Sequence, residues 1–471
     1  MVVADWLNAS IRLVSQALES KAMPSFPTQD LATNVSIAPV TPVASVTQKG
    51  WPKWIFLTLL ILLIGSPAST KVAGAAWFLI VFLGLWAALR RPVLSPLNHP
   101  VVHSSLLWFA TCLFALVLQC IATYYWADPW GDRHVEVRLL LGATATFALL
   151  RHLCLTSRQK NWLTHSLALA CWVALGVSYI YGRETPSNAI PWAAGISFFV
   201  CVLMPLSVQS KITSWQRVGW LLSALAGVIA ILLSQSRGSY GIVLWVILFA
   251  GRFISSKFVK QTDLQLNSNF NLLGTAAVIG FLSVILLSFP RIYQEPLTRV
   301  QAALHEIKML STPSLSFSDG INTSVGARIH MWRAAVKEIA ASPLLGHGSN
   351  ARIAWIHQLG AVDGSDTIKN VDHLHSDLLT TLFDHGLLGL FSYMSFGISL
   401  AWIALREKNI NKTLSWILLG VLWMHLTSGL TNMNFGHNYY GVMLALSLFI
   451  AWMQSIDENN NNLTVRGKNQ I

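Results

Sequence analysis

Apolar runs close to twenty residues long recur along this chain, and nothing else in it constrains the fold as strongly. A helix needs roughly 20 apolar residues to cross a bilayer, and a helix satisfies its own backbone there. Such runs are read at 54–70, 72–89, 104–124, 137–156, 162–181, 190–208, 218–235, 239–255, 271–289, 378–404, 413–430 and 437–454. Only 11% of the 471 residues are charged and the mean hydropathy is +0.53. A soluble chain carries roughly 25% charged residues, so an ordinary soluble enzyme is excluded. The expected fold class is all-α, a polytopic membrane protein of about twelve transmembrane helices with one long helical loop. The 20 tryptophans suit the same class, because indole favours the membrane–water interface.

The formal net charge is +12, but no basic-aromatic patch of the nucleic-acid-binding kind is present. The basic residues instead sit in short loops, where they set topology. With the N-terminus cytoplasmic, the inner loops carry 13 of them, among them Arg90, Arg91, Lys160, Lys211, Arg406 and Lys412. The outer loops carry five: Lys71, Arg133, Arg138, Arg183 and Arg237. The expected organisation follows. Residues 1–50 form a cytoplasmic segment, an amphipathic stretch (Leu7, Ile11, Val14, Leu18) plus a Pro/Thr/Ser-rich linker, with no cleavable signal peptide. Residues 51–289 hold the first nine spans, 290–377 an outer helical loop, 378–455 the last three spans, and 456–471 a cytoplasmic tail. Both termini are then cytoplasmic. Cys112, Cys120, Cys154, Cys171 and Cys201 show no metal-ligand spacing and read as small buried hydrophobes.

The long loop has helical periodicity. Pro296 can open a helix with Leu297, Val300, Leu304, Ile307 and Leu310 on one face. A second helix is expected over 327–341, limited by Pro343 and followed by a turn at Gly346 and Gly348, and a third around 352–359. Amphipathic helices of this kind can lie along a membrane surface.

Three groups carry chemistry. Arg237 sits in LSQSRGSYG, a small-residue break between two apolar runs; a guanidinium there either grips phosphate oxygens in a fork or anchors topology. Arg328 begins the helix RIHMWRAAVKEIAAS. His375, in DHLHSDLLTTLFDHGLLG, has an ordinary pKa of about 6.5 and suits a general base. Asp377 or Asp372 can orient it, and His373 lies beside it. A metal held by His347, His373, His375 and the aspartates is the competing reading, but four-ligand spacing is absent and no D-x-D pair occurs. No metal or other cofactor is expected. Two fixed cations and a base suit glycosyl transfer from a lipid diphosphate, where the leaving group needs positive charge.

These residues resemble the O-antigen ligase family. His375-Ser376, nine residues, then Gly386-Leu387-Leu388-Gly389 matches its histidine motif. Arg237 in SQSRGSYG resembles its S-R-G motif, and Arg328 with Trp332, leading into Pro343-Leu344-Leu345-Gly346-His347-Gly348, resembles its arginine–tryptophan helix. The resemblance covers roughly residues 180–400. It implies a bacterial inner-membrane glycosyltransferase with a periplasmic active site. The donor would be O-antigen on undecaprenyl diphosphate and the acceptor a sugar hydroxyl of lipid A–core, with inner-membrane lipids around and no nucleic-acid partner. His375 would be the base, Arg237 and Arg328 would hold the diphosphate, and Arg183 would add a contact, in a metal-free inverting displacement. A protein O-oligosaccharyltransferase or an O-antigen polymerase would share the donor. A transporter is the reading of another class; Asp384 and His385, inside the tenth apolar run, are the titratable pair it would use.

Overall fold

The computed structural model describes residues 51–456, apart from 96, 98, 154, 210, 211, 261–290 and 311–320. Among them every regular element is helical: α1 Lys53–Gly65, α2 Thr70–Arg90, α3 Pro100–Trp126, α4 His134–His152, α5 Ser157–Tyr181, α6 Ala189–Ser207, α7 Ser214–Leu233 and α8 Gly241–Lys260. After these come α9 Arg291–Leu310, α10 Ser324–Ala341, α11 Ser349–Val362, α12 Asp366–Lys369, α13 Asp377–Glu407, α14 Lys412–Thr431 and α15 Asn438–Ser455. Each expected apolar run coincides with one helix, except 271–289, which lies outside the described residues, as do the amphipathic stretch before residue 51, Cys154 and the tail after 456. Seven helices, α2, α3, α5, α6, α7, α13 and α14, are long and apolar enough to cross a membrane. α1, at 13 residues, is shorter than a full crossing.

Packing explains the patterns. α6 is apolar all round and is buried along almost its whole length, with α7, α14 and α15 against it; a helix without a polar face belongs inside a bundle. α5 packs on α7 and α1, α2 on α4, and α13 between α3 and α14. α5 and α7 both start with a reciprocal capping box, Thr156 with Gln159 and Thr213 with Gln216. Cys112, Cys171 and Cys201 are buried free thiols in the interior, where burial stands in for the expected small hydrophobe.

The loop helices start earlier than the pattern suggested. α9 begins at Arg291, so Pro296 lies one turn inside it, and α10 and α11 each gain three residues at the N-terminus. Thr323 supplies the reason at α10: its hydroxyl caps the Gly326 N–H. α9 exposes Leu297, Val300 and Leu304, while the side chains of Ile307 and Leu310 lie outside the described set.

α13 breaks at Gly386, which has φ 56° and ψ −144°. The broken turn is repaired by the segment before α11. Leu387 N–H donates to the Pro343 carbonyl (2.8 Å), and His347 and Gly348 N–H donate to the carbonyls of Phe383 (2.9 Å) and Asp384 (2.8 Å). The freed backbone groups of a kinked helix are thereby satisfied. A Cβ on Gly386 would sit 2.5 Å from the Leu344 carbonyl carbon, so glycine is required by both torsion and space.

Candidate active site

The ends of α5, α7 and α14 and the starts of α13 and α15 meet at one end of the bundle, and the titratable residues singled out above gather there. His375 lies in the turn between α12 and α13 with φ +51°, the left-handed region. The other two positive-φ residues that are not glycine, among the described residues, are Ala127 and Gln235. Ala127 adjoins Asp128, and Gln235 comes two residues before Arg237. Strained backbone of this kind persists only where its surroundings hold it.

The surroundings are specific. The Trp332 indole N–H donates to the Leu374 carbonyl at 2.6 Å, so α10 pins the turn that carries His375. Arg328 lies one helical turn before Trp332 on the same face, and its Nη1 donates to the Thr431 carbonyl at 3.2 Å. The next carbonyl, that of Asn432, accepts the Asp377 N–H at 2.9 Å. Gly238 rests on the same pair: a Cβ there would come within 1.9 Å of Asn432 Nδ2. The Arg237 turn (Arg237–Ser239, one turn of 3-10 helix) is held further by Trp423, whose indole donates to the Gly241 carbonyl at 2.8 Å. Thr431–Asn432 is therefore a single anchor for all three motifs, although they are distant in sequence.

Electrostatics report the same convergence. Burial lowers the pKa of Arg328, and the charges of Arg237 and Arg183 lower it further, opposed by Glu306. The Glu306 carboxylate is itself engaged, accepting the Val325 N–H at 2.7 Å. The charges of Arg237 and Arg183 thus act on Arg328 with Glu306 opposed to them, an arrangement whose potential would favour an anion. His375 is pulled down to about 3, first by burial and then by His373 and Arg328. His373 falls to about 4 through burial, Arg352, His437 and Arg328, against Asp372. The expectation of a base near 6.5 is corrected here: partial burial among cations disfavours imidazolium. The two rings lie 4.1 Å apart at 77°, and the His375 N–H donates to His373 Nδ1 at 3.3 Å. His375 Nδ1 is buried and makes no hydrogen bond with the protein.

Neither aspartate orients His375. Asp377 Oδ1 accepts the Phe435 N–H at 3.0 Å, and Asp372 Oδ1 pairs with the exposed His357 at 3.0 Å. Asp377 opens α13, where its backbone is committed to Asn432, and Asp372 faces α11. His347 Nε2 lies 2.9 Å from the Glu338 carbonyl, which leaves His373 and His375 as a pair. Among the described residues no cluster of three or more histidines, cysteines or carboxylates could hold a metal ion.

Sequence reasoning missed the support beneath. Arg352 is buried, donates to Asp384 Oδ1 at 2.7 Å and also reaches the Asp372 carbonyl. His385 Nε2 lies 3.0 Å from Asp128 Oδ2, and Asp128 accepts the Ser349 N–H. The Asp384–His385 pair, read above as a possible transport feature, is thus hydrogen-bonded to Arg352 of α11 and to Asp128 in the segment after α3. That pair inside an apolar run was the one signal of it; Arg352 and Asp128 carried none.

Residues 222–394 match the profile of the O-antigen ligase family. The matched stretch contains Arg237, Arg328, Trp332, His375, Gly386 and Gly389. This stretch is an O-antigen ligase family domain. The chain is also similar to an uncharacterized protein of Haemophilus influenzae, 24% identical over 374 residues, which span 76% of this chain and 84% of that relative. The family match and, among the described residues, seven helices long and apolar enough to cross a membrane suggest a membrane protein of the O-antigen ligase and polymerase type, consistent with a glycosyltransferase.

Proposed function

We infer that this protein is an O-antigen ligase, moving O-antigen polysaccharide from undecaprenyl diphosphate to a sugar hydroxyl of lipid A–core. The reaction takes place at the periplasmic face of the inner membrane, in the orientation that the basic inner loops favour. One observation carries the reading: Arg328, on which the charges of Arg237 and Arg183 act, acts in turn on His375. In the step, the acceptor hydroxyl oxygen bonds to the anomeric carbon from the face opposite the diphosphate. The carbon–oxygen bond to the diphosphate breaks, the hydroxyl proton passes to the His375 ring, and the configuration inverts. The arginines take up the charge of the leaving diphosphate. That same charge, placed beside Arg328, raises the basicity of His375, which burial depresses first and His373 and Arg328 further. No metal is needed, because the guanidinium groups supply the positive charge.

Reconstitution of the full chain with undecaprenyl-linked O-antigen and lipid A–core tests this. Transfer by the wild type, lost in His375→Ala at unchanged membrane abundance, is the expected result; full activity in that variant removes His375 as the base. In cells, deletion of the gene should leave lipid A–core unsubstituted while undecaprenyl-linked polymer accumulates. Altered protein glycosylation with normal lipopolysaccharide would instead point to a protein acceptor.

A further inference from the structure

His373, whose ring touches that of His375, also lines a cavity of about 280 Å³. Arg183, Arg237 and Arg328 do not line it. Its walls carry the carboxylates of Asp132, Glu136, Asp372, Asp377 and Asp384. Both guanidinium groups in it have a carboxyl neighbour, while Arg133 Nε is without a hydrogen-bond partner among the described residues. Arg352 is held by Asp384 at 2.7 Å, and Arg133 donates to Gln119 and lies 3.8 Å from Glu136. Tyr393, Phe396 and Phe435 supply apolar wall. Among the described residues three polar groups in the lining are more than nine-tenths buried and have an atom without a partner: Glu136 (6% exposed) at Oε2, Asp377 (2% exposed) at Oδ2 and Thr380 (4% exposed) at Oγ1. Buried polar atoms are nearly always hydrogen-bonded, so such atoms mark the place of a missing partner.

The chemistry of that partner is constrained. A carboxyl oxygen or hydroxyl without a partner is met by a hydroxyl group of the ligand, so the ligand must bring donors. A phosphorylated ligand would meet more carboxyl groups than guanidinium groups in this lining. Aromatic rings suit the C–H face of a sugar, and the space, below the ~300–1,000 Å³ of drug-sized pockets, is scaled to one ring and not to a polymer. We propose that this cavity binds one neutral, unphosphorylated sugar ring of the acceptor through its hydroxyl groups, held by Glu136, Asp377 and Thr380.

The proposal rests on the transfer reading above and adds a division by charge. The arginine cluster takes the diphosphate of the donor, the acidic cavity takes the uncharged sugar of the acceptor, and the His373–His375 pair stands between them. Because His373 Nδ1 accepts from the His375 backbone, the His373 proton resides on Nε2, which leaves Nε2 as a donor to a sugar oxygen.

The test uses the full chain in lipid nanodiscs, titrated with methyl hexosides and with the matching hexose phosphates, read by saturation-transfer NMR. A neutral methyl hexoside should bind, with its phosphorylated counterpart at least about tenfold weaker. Glu136→Gln and Thr380→Val, both near-isosteric, should each weaken neutral binding about tenfold while the thermal midpoint stays in place. Absence of hexoside binding to the wild type, equal binding by both folded variants, or preference for the phosphate would overturn the proposal. Should either variant fail to fold, the wild-type preference for neutral over phosphorylated sugar decides alone. Retention of undecaprenyl diphosphate is measured in parallel, with Arg237→Ala as its control. Hexoside binding without lipid diphosphate binding would defeat the transfer reading and leave the cavity; the reverse would defeat the cavity and leave the transfer.

Discussion

Arg328 reaches across the site and donates to the carbonyl of Thr431 at 3.2 Å. This contact joins α10 to the end of α14, and the neighbouring Asn432 supports both Gly238 and Asp377. An arginine that only solvated a helix face would not be tied to a carbonyl 103 residues away. One of its donors is used to fix the guanidinium plane, and the rest stay available for an anion.

Replacing Arg328 or Arg237 by lysine should therefore be costly. A point charge on a flexible stem cannot keep the backbone contact and grip two phosphate oxygens. Transfer should fall by about 100-fold or more, the range seen when a preorganised charge-stabilising donor is lost. Steady-state transfer with unchanged membrane abundance measures it; near wild-type rates with lysine would reassign these arginines to topology.

Trp332→Phe removes the hydrogen bond to the Leu374 carbonyl and little volume. The expected outcome is a loss of about tenfold in kcat from a looser His375 turn, with a fall in stability of about 1 kcal/mol. Turnover and thermal melting of the same preparation separate these; a change in melting alone would make Trp332 purely structural.

The pH dependence has a definite sign. In the folded chain His375 and His373 stay neutral down to about 3 and about 4, while unfolded they take up protons below about 6.5. Between those values the unfolded state binds more protons, so stability rises with pH in that window and is fully present above it. The thermal midpoint should be flat above about pH 7 and should fall as the pH drops from ~6.5 toward 4. The double variant His373→Gln, His375→Gln should flatten that slope. For the unliganded enzyme, kcat/KM should show no acid limb at the ordinary histidine value, because the basic form of His375 persists well below it.

Gly386→Ala places a methyl group against the Pro343–Leu344 backbone at a positive φ. Destabilisation of more than about 1–3 kcal/mol is expected, seen as loss of folded protein in detergent melting. Asp384→Asn should cost about 3–5 kcal/mol, because it strands the buried Arg352 charge. Asp384→Leu with Arg352→Met should cost less than either alone, which a double-mutant cycle reads directly.

Apolar run length by itself determined the class of this protein and the place of nearly every helix, because bilayer thickness sets run length without reference to any neighbour. The three motifs were also legible, since each puts a charged or titratable group where an apolar chain should have none. Their purpose as one site was not. Which carbonyl Arg328 would find, that Trp332 would pin Leu374, that Asp377 and Asp372 would turn away from His375, and that His375 would be left a weak base all depend on Thr431–Asn432 and on charges far off in the chain. The cavity walled by Glu136 and Thr380 belongs to the same category, as do the pairs Arg352–Asp384 and His385–Asp128. Contacts between segments tens to hundreds of residues apart leave no periodicity behind, so only the packed helices could decide them.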